Sequence, residues 1–93
     1  MQVTEFLRRG RPILSWQVRT PLLNEDETYN QARDRMLAHA EAMGMQIRFL
    51  YGKGRFGKTP RYHFWEIKHE SDAFAFHFTF GDHIKPQGHT TIA

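Results

Sequence analysis

The stretch Ser71-Asp72-Ala73-Phe74-Ala75-Phe76-His77-Phe78-Thr79-Phe80-Gly81 decides the fold, because it fits two different periods. Phenylalanine at 74, 76, 78 and 80 is strict period two, which describes a strand hairpinned to the preceding one through Glu70-Ser71-Asp72. Alternatively, Ser71 or Asp72 caps a short helix that Gly81 ends, with Ala73, Phe76 and Phe80 facing inward. The alternation slightly favours the strand. In either form the phenylalanine row reads as core; facing solvent, it would make an apolar patch large enough to imply a partner.

Before this stretch, Arg61–Lys68 alternates with His63, Trp65 and Ile67 on one face and Tyr62, Phe64, Glu66 and Lys68 on the other. The second set ends in two charges. It is therefore the solvent face, leaving Tyr62 and Phe64 partly exposed. Met45–Tyr51 alternates too, directing Met45, Ile47, Phe49 and Tyr51 to the core and Gln46 and Arg48 away. Ile13–Arg19 repeats the pattern, with Leu14, Trp16 and Val18 opposite Ser15, Gln17 and Arg19, and Pro21 stops it.

Between the first two strands lies the clearest helix, predicted from about residue 25 to 43. Asn24 and Glu27 have the spacing of a capping box, and Glu25, Asp26 and Glu27 crowd the expected first turn, where the helix dipole favours negative charge. Tyr29, Ala32, Met36, Ala40 and Met43 recur at helical steps with Leu37 beside them, and Gly44 stands where a left-handed cap belongs. Lys85-Pro86-Gln87-Gly88 reads as a breaker cluster, with His89–Ile92 a last edge strand or a polar tail.

The expected fold is thus α+β: one domain over residues 1–93, a small sheet in β-α-β-β-(β or α)-(β) order, and one dominant helix on one face. Residues 1–12 form a basic arm and 85–93 a polar tail or edge strand. If 71–81 is helical, the order becomes the β-α-β-β-α-β plan of ferredoxin-like folds.

Ninety-three residues suit a single modest core. The absence of cysteine excludes disulfides, thiolate metal sites and a cysteine nucleophile. Neither a secretory apolar run nor a span-length hydrophobic stretch occurs, so the expectation is a cytoplasmic protein without membrane contact. The formal net charge of +3 is unevenly spread: residues 45–69 hold six basic residues and one acid, whereas residues 24–44 hold five acids and two arginines. Such asymmetry points to an anionic partner, with a solvated basic face as the plainer explanation.

Gly52-Lys53-Gly54-Arg55-Phe56-Gly57-Lys58-Thr59 matches the phosphate-cradling pattern G-x-x-x-x-G-K-[ST]. That chemistry needs a helix immediately after the loop, whereas Pro60 follows Thr59 and Tyr62–Ile67 reads as a strand. The segment is better read as a hairpin tip than as a nucleotide-hydrolysing site, and no catalytic residues are assigned. Its Lys53, Arg55, Lys58 and Arg61 surround Phe56, a composition suited to phosphate contacts with base stacking. A basic loop before a central strand with alternate aromatics, in βαββ order, resembles the RNA-recognition motif. The resemblance is architectural alone. On alignment with Tyr62 and Phe64, the opening basic and glycine positions of its RNP1 signature fall on Pro60 and Arg61, and Trp65 and Ile67 replace its valine and aromatic.

The functional expectation is a small non-catalytic module for an anionic partner, foremost nucleic acid. Its site residues are Lys53, Arg55, Phe56, Lys58, Arg61, Tyr62, Phe64 and Arg48. The alternative is an inhibitor or accessory factor that docks on a larger protein complex through its sheet face or edge, with a homodimer as an option. No cofactor is expected. The six histidines lack metal-ligand spacing, so no metal is expected either.

Overall fold

The computed structural model describes residues 12–22, 24, 26–54 and 61–92. The elements run β1 (Ser15–Pro21), α1 (Tyr29–Ala42), β2 (Ile47–Lys53), β3 (Tyr62–Ile67), α2 (Glu70–Phe80) and β4 (His83–Gln87). The chain is a small α+β domain in β-α-β-β-α-β order, consistent with a ferredoxin-like arrangement. The four strands lie in the order β2-β3-β1-β4, and every neighbouring pair is antiparallel.

This order explains why 71–81 is a helix. β3 already has β2 on one side and β1 on the other, so no edge remains for a hairpin partner. β4 runs parallel to β3 with β1 between them, and a parallel return requires a crossover above the sheet. The slight preference for a strand is therefore corrected. As a helix, α2 turns Ala73 and Phe76 fully inward with Phe80 half-buried, sets Phe74 at the flank against Trp16, and turns Phe78 outward. The phenylalanine row is thus split between core and surface.

The helix α1 starts later than its acidic stretch implies. Thr28, not Asn24, is the cap: its hydroxyl accepts the Gln31 backbone N–H at 3.1 Å, and the Gln31 side chain accepts the Thr28 N–H at 3.0 Å. Asp26 and Glu27 precede the first turn, which holds no acid. Glu27 instead forms a two-pronged pair with Arg35 at 2.7 and 3.0 Å, which holds its carboxyl below the ordinary range. Gly44 does adopt the left-handed conformation, at φ 73°. Beyond it Met45, rather than Met43, enters the core.

Both helices cover the same sheet face. Trp16, Val18, Trp65, Ile67, Ala32, Met36, Ala40, Met45, Ala73 and Phe76 form the buried cluster. At its centre Trp65 meets Phe49 and Phe76 edge-on at 5.3 and 5.5 Å and donates its indole N–H to Thr20 Oγ1 at 2.9 Å. His63, Trp65 and Ile67 are all buried, as the alternation of β3 predicts.

The last strand is His83–Gln87, so part of the expected breaker cluster is strand. Gln87 turns its carbonyl to β1, where Leu14 N–H donates to it at 3.0 Å. The neighbouring Pro86 therefore presents its donorless nitrogen to the open edge, the position where a strand tolerates proline. Among the described residues, no helix is long and apolar enough to cross a membrane.

Candidate nucleic-acid interface

The sheet face opposite the helices is built by register. Arg19 stands opposite Phe64, Pro21 opposite Tyr62 and Gln17 opposite Glu66 on the β1 side, while Arg48 stands opposite Glu66 and Lys53 opposite Tyr62 on the β2 side. Arg48, Lys53, Tyr62, Phe64 and Arg19 accordingly share one face. Lys53 and Arg61 flank the base of the β2–β3 hairpin, where Arg61 N–H donates to the Lys53 carbonyl at 2.9 Å. Arg55, Phe56 and Lys58 lie outside the described residues.

Tyr51 joins this face, against the expectation that it is core. Phe49 pairs with Trp65 but Tyr51 pairs with Phe64, so Leu50 is an extra residue in β2. A one-residue bulge reverses the side to which every following residue points. Tyr51 emerges 48% exposed and stacks on Phe64 with ring centroids 4.6 Å apart and planes 14° from parallel. The only sequence signal is the run Phe49-Leu50-Tyr51, three consecutive apolar residues where alternation requires a polar one in the middle. The same bulge brings Gly52 to the helix side, where a Cβ would overlap the Tyr29 ring and hydroxyl.

Next to the pair, the Arg19 guanidinium lies 4.8 Å from the Tyr62 ring centroid. Asp82 holds it there through contacts of 2.8 and 3.2 Å, and this hydrogen-bonded partner raises the Arg19 pKa. Arg19 thus offers Tyr62 an oriented cation, while Arg48, Lys53 and Arg61 are exposed.

Glu66 breaks the pattern. It belongs to the open face, where the alternation predicts a solvated charge, yet it is 1% exposed. Residues from 88 to 92 fold back over it. Thr91 N–H donates to both carboxylate oxygens at 3.1 and 3.3 Å, Thr91 Oγ1 donates at 2.5 Å, and Ser15 Oγ donates at 2.9 Å. Burial alone raises the carboxyl pKa, but these donors outweigh it and leave the group below its ordinary range. Charge-bearing Glu66 is therefore satisfied and covered.

No family model matches the chain, and no curated protein or solved structure matches it.

The segment that fits the phosphate-loop pattern leads into β3, a strand, where the pattern's mechanism needs a helix. Among the described residues, no three His, Cys, Asp or Glu side chains are grouped to hold a metal ion. His63 belongs to the core: its Nε2 lies 2.9 Å from the Tyr29 carbonyl and its ring stacks on Tyr29 at 4.2 Å. Its buried Nδ1 has no partner, and burial lowers its pKa. The unfolded chain takes up this proton near pH 6.5, whereas the folded domain resists it. Stability contributed by His63 is thus complete above about pH 6.5 and falls as the pH drops through that value toward the lower folded pKa. Urea unfolding between about pH 5 and 7 should show this loss, and His63→Gln should flatten it.

Proposed function

We propose that this domain is a non-catalytic module that binds single-stranded nucleic acid on the open sheet face. The observation that carries this reading is the bulge at Leu50, which adds Tyr51 to Phe64 and Tyr62 beside Arg19. Aromatic faces stack on bases of any sequence, and surrounding cations meet the phosphates. Arg48, Lys53 and Arg61 supply those cations. Arg55, Phe56 and Lys58, between Lys53 and Arg61 in sequence, add the same two residue types.

The test is a salt series with a labelled oligonucleotide. Affinity should fall steeply as salt rises, and replacing Arg48, Lys53 and Arg61 together with Ala should reduce the logarithmic slope by about 2, at roughly 0.7 per phosphate contact on a single strand. Absence of binding at low salt would refute the reading.

One observation favours a second reading, a protein-docking accessory factor. Phe78 is 92% exposed on the outer face of α2, and Phe74, one helical turn before it, is 42% exposed at the flank of the helix with its ring 5.3 Å from that of Trp16. This patch lies on the helix side, so a protein contact there does not compete with the sheet face. Phe78→Asp should abolish partner capture or self-association, as read by sedimentation, and leave oligonucleotide binding intact.

A further inference from the structure

The open face has two chemically different ends. Toward the β2–β3 hairpin it carries Tyr51, Tyr62, Phe64, Arg19 and Lys53. Toward the start of β1 and the end of β3 it carries Ser15 and Glu66, both buried under residues from 88 to 92. Ser15 Oγ shares its one proton between the His89 carbonyl at 2.7 Å and Glu66 Oε2 at 2.9 Å, and within the segment Ile92 N–H donates to Thr90 Oγ1 at 3.1 Å. The covering segment is thus tied to the sheet at two residues, His89 and Thr91.

We propose that residues 88–92 are a fixed strap that masks Glu66 and closes this end of the face, confining the nucleic acid to a short stretch at the aromatic end. The inference rests on the nucleic-acid reading of that face.

The chemistry of the contact distinguishes a fixed wall from a displaceable lid. Beneath the strap lies a carboxylate that accepts from Thr91 and Ser15. Phosphates bring acceptors and negative charge, so they cannot replace the donors of Thr91. A strand that displaced the strap would leave a buried carboxylate short of donors and facing like charge. With the strap in place, the polyanion can lie on Phe64, two residues along β3, without meeting that charge. Glu66 is thus a positioning residue: it holds the wall and is hidden by it.

Two substitutions separate these roles. Glu66→Gln weakens the anchor and removes the charge. Thr91→Pro removes both donors of Thr91 but leaves the charge, now uncovered. Each is titrated at low salt with labelled oligothymidylates of about four and about twelve nucleotides, lengths that bracket a small single-strand site. With the wild-type protein, the Thr91 amide should stay equally protected from hydrogen exchange with and without oligonucleotide. Affinity for the longer strand should rise roughly 3- to 10-fold in Glu66→Gln and fall by a similar factor in Thr91→Pro, the scale of one like charge near a surface site at low ionic strength. The short strand should bind all three proteins alike.

Shifts of the same sign in both variants, no shift in either, or loss of Thr91 protection on binding would overturn the strap while leaving the aromatic site standing. Failure of the wild-type protein to bind either strand would remove the nucleic-acid reading, and the strap's role with it.

Discussion

Trp65→Ala is expected to lower the stability of the domain by about 3–5 kcal/mol, a large share of what a domain of this size possesses. Trp65 is fully buried where β3 meets both helices, with Phe49 and Phe76 against its ring edges and Thr20 receiving its indole N–H. Its removal opens a large void and deprives Thr20 Oγ1 of a donor. The void is difficult to close because Val18, Ile67 and Phe76 are already fully buried around the same sheet face. A domain of this size has little reserve, since small chains bury a smaller fraction of their surface. Trp65→Phe fills most of the space but still loses the hydrogen bond, and should cost roughly 1–3 kcal/mol. Urea unfolding followed through Trp16, the other tryptophan, would measure both. A change below about 1 kcal/mol in Trp65→Ala would mean that the core is not centred on this ring.

The contrast between Trp65 and its neighbours shows which parts of this fold are legible in the residues. β1 and β3 lie in the middle of the sheet with helices on one side, so burial forces their alternation, and His63, Trp65 and Ile67 face inward as the pattern predicts. Local period fails where a longer-range constraint overrides it. The phenylalanines of α2 repeat every second residue, but β3 has no free edge and β4 must return parallel to it, so topology imposes a helix. Phe78 then faces outward and Phe74 lies at the flank against Trp16, a split that no alternation rule anticipates. The cap of α1 is a nearer miss: both Asn24-Glu27 and Thr28-Gln31 have capping-box spacing, and the second makes the reciprocal bonds. The candidate site divides in the same way. Arg48, Tyr62 and Phe64 follow from simple alternation, with Arg61 at the hairpin base, whereas Lys53 reaches the open face only because the Leu50 bulge reverses β2. Tyr51 depends on a bulge, the Arg19–Asp82 contact spans 63 positions, and the cover over Glu66 comes from residues 25 positions away.

Replacing Tyr51 and Phe64 together with Ala should weaken single-stranded oligonucleotide binding by about two orders of magnitude, taking roughly 1.5 kcal/mol for each stacked base. The two rings already lie nearly parallel, so each presents a prearranged outer surface and little side-chain freedom is lost when a base settles on it. Neither ring carries charge; the salt dependence of the residual binding should therefore match the wild-type protein, in contrast to the Arg48/Lys53/Arg61 substitutions. The stability cost should stay near 1 kcal/mol, the scale of a cross-strand aromatic pair. Deleting Leu50 removes the bulge while preserving every aromatic and basic residue. Tyr51 then follows Phe49 directly, and plain alternation keeps it opposite Phe64 on the open face, with Gly52 still on the helix side and Lys53 opposite Tyr62. That variant should retain oligonucleotide binding, which would show that the face, and not the bulged backbone itself, makes the contact. Should the double alanine variant bind as tightly as the wild-type protein while the basic substitutions abolish binding, the face recognises phosphates alone and the stacking assignment is wrong.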